Sequence, residues 1–156
     1  MIEFPDAPKI FREQLVDITL SEARHLRLCL DGLEKLKFDW GHWPVHTALW
    51  EATDEDDSLL DRILIVHRYL EGSGLDAGET IMNKLHGTQA PEVVPVVKVI
   101  MEEEVGHVMF GSHWYKEICK RLEIDPEVDF PERLQKISHK IPRRLERICD
   151  ELRKKA

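Results

Sequence analysis

Apolar residues recur along this chain at the spacing of buried helix faces, and nowhere with the strict alternation of a convincing strand. The first such face is Leu15, Ile18, Leu26, Cys29, Leu33 and Leu36, which predicts a helix from about Pro8 to Phe38. Asp6 is its expected N-cap, with Pro8 in the first turn, where a missing N–H costs little. A second helix is expected to begin near Ser58, to carry Leu60, Leu64 and Glu71, to weaken at Gly72-Ser73-Gly74, and to resume through Ile81 to Leu85. The third runs from about Pro91 to Leu122 and presents Val93, Val97, Ile100, Gly111, Trp114, Ile118 and Leu122. Pro95 falls in its first turns and moves the expected start toward Val94. Asp125-Pro126 is read as the end of that region. The fourth helix, from about Pro131 to Arg153, presents Leu134, Ile137, Ile141, Leu145, Ile148 and Leu152, with a kink or restart at Pro142.

Four long amphipathic helices predict an all-α bundle of ferritin-like type in one domain spanning residues 1–156. The stretch Asp39 to Asp57 is long for a connection inside a compact domain. It suits a crossover between bundle helices that are not hairpin neighbours, with a short helix near Val45 to Ala52. Trp40, Trp43 and Trp50 are expected to anchor it to the bundle.

Two of the helix faces carry polar residues at core steps. On the first, Glu22 and His25 follow Leu15 and Ile18; on the third, Glu104 and His107 follow Val97 and Ile100. Each pair is a Glu-x-x-His, and residues three apart share a helix face. In a chain with 30 acidic residues and 8 histidines the motif alone is weak, since such pairs arise by chance. Position strengthens it. Glu71 extends the line of Leu60 and Leu64, one turn after His67, so three carboxylates point into the bundle. A buried, unpaired carboxylate costs several kcal/mol. The histidines offset part of that cost, and a pair of divalent cations offsets it fully. Carboxylate with imidazole suits iron or manganese. The metal-free alternatives are a buried Glu/His hydrogen-bond network, or a face rotated toward solvent.

The segments FPDAPKIFREQLVDITLSEARHLRLCLDGLEKL, LLDRILIVHRYLEGSGLDAG and VVKVIMEEEVGHVMFGSHWYKEIC resemble an uncharacterised bacterial family of ferritin-like di-iron carboxylate domains. That family is distantly similar to ferritin-like tRNA-modifying hydroxylases. The resemblance covers about Phe4 to Pro126, leaving 131–156 as a C-terminal helix outside it. Its most specific pieces are Ser21 to His25, Glu71 to Asp76 and Glu104 to His107. It implies a metal centre, two iron ions or alternatively manganese, held by Glu22, His25, Glu71, Glu104 and His107. It also implies Asp76 as an acceptor for a ligand imidazole. Such proteins carry a further ligand glutamate on a helix ahead of Ser21 to His25, which this chain is expected to lack. Helix four is a candidate to fill that helix's place. Glu13 lies half a turn out of phase, and Glu102 and Glu103 lie about 200° and 100° around the helix from Glu104. His67 is the best in-chain substitute, against an ordinary partly buried histidine. A second subunit is another source of the missing ligand.

Composition narrows the function. The net charge of -8 argues against a duplex-binding protein. The last 26 residues nonetheless carry nine Lys or Arg against four Asp or Glu, a basic helix that could meet RNA or pair with the acidic body. No apolar run approaches the roughly 20 residues that span a bilayer, and the N-terminus has no signal-peptide pattern, so a cytoplasmic location is expected. Cys29, Cys119 and Cys149 read as reduced thiols. Three functions remain open: an oxygen-dependent di-iron oxidoreductase acting on a small molecule; non-catalytic metal handling or a structural metal; and a metal-free interaction module or homodimer docking through helix four.

Overall fold

The computed structural model describes residues 3–88, 90–142 and 150–155. Among these, the chain is helical, with no strand: α1 Lys9–Lys35, α2 Ala48–Glu51, α3 Leu59–Ile63, a π-helical segment Leu64–Leu70, α4 Glu71–Leu85, α5 Val93–Arg121, α6 Pro126–Ile137 and α7 Asp150–Arg153. The α3–π–α4 run is one continuous rod that packs along α5, while α1 lies on α5. The long connection after α1 therefore joins helices that meet chiefly through a third.

Two apolar clusters line α5, one against α1, α3, the π segment and α6, the other against α4. The larger includes Phe11, Leu60, Ile63, Leu64, Ile65, Phe110, Trp114 and Ile118; the smaller is Leu75, Met101 and Val108, with Leu152 of α7 packed on it. Along α5 the Glu104 to His107 turn falls between Met101 and Val108, both of the smaller cluster, with Phe110 of the larger one following. Local chemistry fixes the starts of the helices. Ser58 caps α3: its hydroxyl accepts from the Asp61 N–H at 3.2 Å, and the Asp61 carboxylate accepts from the Ser58 N–H at 2.9 Å. Asp61 also receives Arg133 of α6 at 2.7 Å, and Arg133 reaches Asp129 at 2.7 Å, which ties α6 to the rod.

Several expectations are corrected. Asp6 does not cap α1; the N-cap position is Pro8, and no side chain closes it. Gly72-Ser73-Gly74 does not weaken the rod. The irregularity is the π segment immediately before Glu71. Asp125-Pro126 starts a helix: the Asp125 carboxylate accepts from the Glu127 N–H at 2.9 Å, with proline at the first helical position. That helix ends at Ile137, so no long fourth helix forms through Pro142. Leu145, Ile148 and Cys149 of the expected helix, with part of its basic face, lie outside the described residues. Trp40, Trp43 and Trp50 do not anchor the crossover, being 68%, 54% and 84% exposed. Ala52 and Asp57 are buried in their place, Asp57 between Arg62 and Lys140. Leu26 and Cys29 of the first apolar face are also exposed.

Two glycines of α5 make a controlled test of close packing. A Cβ on Gly111 would fall 2.5 Å from the His67 Cβ and 3.1 Å from its backbone carbon, whereas one on Gly106 meets nothing within 4 Å. Gly111→Ala should therefore destabilise the fold by about 1–3 kcal/mol through overpacking. Gly106→Ala should leave stability unchanged or raise it by up to about 1 kcal/mol. Urea melts of the two variants distinguish these outcomes.

Candidate metal centre

The five residues expected as ligands come from three helices and are brought together. Glu22 and His25 lie on α1, Glu104 and His107 on α5, and Glu71 is the first residue of α4. One donor atom from each of Glu22, Glu71, Glu104 and His107 lies within 4.8 Å of the others. His107 Nδ1 is 2.9 Å from Glu22 Oε1 and 3.3 Å from Glu104 Oε2. His25 stands beside the four, its Nδ1 3.6 Å from Glu22 Oε2 and 3.5 Å from Glu104 Oε1. The two imidazoles are 5.6 Å apart between centroids. His25 and His107 are buried, Glu71 and Glu104 nearly so, and the Glu22 side chain is 47% exposed, which leaves one side open to solvent.

The donors face one another without bonding properly. His25 Nδ1, His107 Nδ1, Glu71 Oε2 and Glu104 Oε2 are buried, and none makes a hydrogen bond of good geometry. Buried polar atoms are nearly always satisfied, so three such residues within one donor cluster, with His25 beside it, fit a cation held between them. Burial works to lower the His107 pKa, but the Glu104 and Glu22 carboxylates outweigh it and push it up to about 10. Contact with His107 in turn holds the Glu22 carboxyl below its usual range. Burial pushes the Glu71 carboxyl up, more than His67 lowers it. In the metal-free protein the cluster is thus partly neutralised by protons that a metal would displace.

Further side chains hold the donors from outside. His67 Nδ1 lies 2.8 Å from Glu71 Oε1, so its imidazole orients Glu71 and leaves Oε2 for the cluster. Glu103 Oε2 is 2.8 Å from His25 Nε2, 2.5 Å from Arg24 Nη2 and 3.3 Å from the Ser21 hydroxyl. A carboxylate on the outer nitrogen fixes a ligand imidazole's tautomer and orientation. Sequence reasoning missed Glu103 because only its angle to the cluster was considered, not its reach to the far side of a histidine on another helix. Asp76 is completely buried on α4.

The fold positions Glu71 through two irregular features. The π segment widens the rod just before it, and such segments occur often at functional sites. Gly111 lets α5 approach that segment closely enough to bring His107 and Glu71 together.

A family model described as "Protein of unknown function (DUF455)" matches residues 1–156. An uncharacterized protein of Haemophilus influenzae is 31% identical over 129 residues, which cover 81% of this chain and 44% of that relative. The chain thus spans less than half the length of the curated relative it matches. No solved structure matches.

Two outcomes follow from the geometry. Glu103→Gln should weaken metal binding about 10- to 100-fold while leaving metal-free stability nearly unchanged, as measured by chelator competition and thermal melts. Because His107 is held near pKa 10 and a ligand imidazole must be neutral, metal uptake at pH 7 should release a proton. Affinity should then rise with pH until His107 titrates. Titration calorimetry in buffers of different ionisation enthalpy reads that proton directly.

Proposed function

The chain belongs to the DUF455 family, and from its site we propose that it is a metal-dependent, oxygen-using oxidoreductase whose cofactor is a pair of iron ions held by Glu22, His25, Glu71, Glu104 and His107. The observation that carries this function is the convergence of Glu22, Glu71, Glu104 and His107 from three helices, three of which (Glu71, Glu104 and His107) hold a buried side-chain atom with no hydrogen-bond partner. Three carboxylates and two imidazoles match the donor chemistry of iron, and manganese fits the same set. Two bound iron ions would supply the redox equivalents for activating dioxygen.

The remaining roles belong to the chain's own side chains. His67 holds Glu71, and Glu103 with Arg24 holds His25, so the donor set is preorganised. His107 would have to give up its proton to serve as a ligand. The exposed edge at Glu22 provides access for small molecules, which a closed structural site does not require. That openness favours a reactive centre over a metal that only locks the bundle.

Anaerobically reduced, iron-loaded protein should consume dioxygen when air is admitted, and the Glu104→Ala/His107→Ala double variant should not. An oxygen electrode measures both. If the wild type holds iron yet consumes no oxygen at any loading, the function is metal handling without redox catalysis.

A further inference from the structure

A second feature lies beside the metal cluster. Between the start of α1 and the α3–π rod is a cavity of about 140 Å³, walled by Phe4, Ala7, Phe11, Leu15, Ile63 and Val66, with His67 also lining it. The cavity is partly open to solvent, so a guest can enter it. An apolar void of about 150 Å³ is enough to take a benzene-sized guest.

The charges at the rim are already engaged within the protein. Arg12 donates to the Pro5 and Ala7 carbonyls at 2.7 and 2.6 Å. Arg62 pairs with Glu3 at 3.1 Å and with Asp57 at 3.2 Å. These contacts occupy guanidinium donors within the protein and leave a mostly apolar interior.

The cavity also adjoins the cluster. His67 lines the one and holds Glu71 of the other. Phe110 stacks on Phe11 at 5.3 Å, meets the edge of His67 at 5.0 Å, and follows His107 by three residues on α5. His67 thus touches both, with Phe110 packed against its ring.

We infer that this cavity binds the substrate of the proposed oxidation, a small uncharged apolar molecule or the apolar arm of a larger one, of about benzene to toluene size. The inference of a substrate rests on the oxidoreductase function above; occupancy of the cavity does not require the metal.

Toluene is the probe. Ligand-observed NMR should detect its binding to metal-free wild type, with the bound signals further broadened when the protein is loaded with paramagnetic Mn(II). Two fillers on different elements, Ala7→Leu and Val66→Phe, should each weaken toluene binding at least about tenfold while keeping the helical circular dichroism and metal content of the wild type. Either filler that folds is sufficient for the comparison. No binding to wild type, or binding that survives in a folded filler, overturns the inference. Binding without broadening in the Mn(II)-loaded protein places the guest away from the centre and overturns the substrate role. Failure to take up metal instead removes the oxidoreductase function, and with it the substrate role, while the metal-free titration still decides whether the cavity binds an apolar guest.

Discussion

Three carboxylates, Glu22, Glu71 and Glu104, meet beside the apolar packing of α5, and the chain must compensate their charge there. Coulombic repulsion grows as the local dielectric falls, so groups this close destabilise the fold unless positive charge lies among them. In the metal-free protein that charge comes from His107, whose proton is retained to about pH 10 by the carboxylates around it. The arrangement resembles a site holding protons in place of a cation. Much of the nearby structure orders it: His67 on Glu71, and Glu103 on His25 with Arg24 and Ser21 behind.

Backbone irregularity serves the same end. A regular helix from Leu59 onward would present its side chains on a steady 3.6-residue rhythm. The π segment interrupts that rhythm just before Glu71. Gly111 removes the side chain that would hold α5 away from the segment, and Gly78 does the same against Met101. Close approach of the rod to α5 is what sets Glu71 beside His107.

The long helices were legible because their apolar faces hold register over many turns, as from Val97 to Ile118 on α5. The site was legible for a related reason: Glu22, His25, Glu104 and His107 occupy steps of those faces where a polar residue has to be explained. Other features were hidden by rules that tertiary context overrides. Gly72 and Gly74 have poor helix propensity, yet the rod continues through them because it is packed along its length. Trp40, Trp43 and Trp50 suggested anchoring, but a large apolar side chain does not have to be buried, and these three face outward. Asp125-Pro126 contains both a stop and a start signal, and the start prevails because the Asp125 carboxylate caps the next turn. The π segment and the Glu103 to His25 contact leave no periodic trace, since each depends on how separate helices meet.

The central claim is that the buried Glu/His cluster holds a dinuclear metal centre. Counting metal by elemental mass spectrometry, in wild type expressed with added iron and in the Glu104→Ala/His107→Ala variant, tests it most directly. The account predicts about two iron or manganese ions per chain, lost in the variant. A well-folded wild type without metal would contradict it and leave the cluster as a proton-neutralised network.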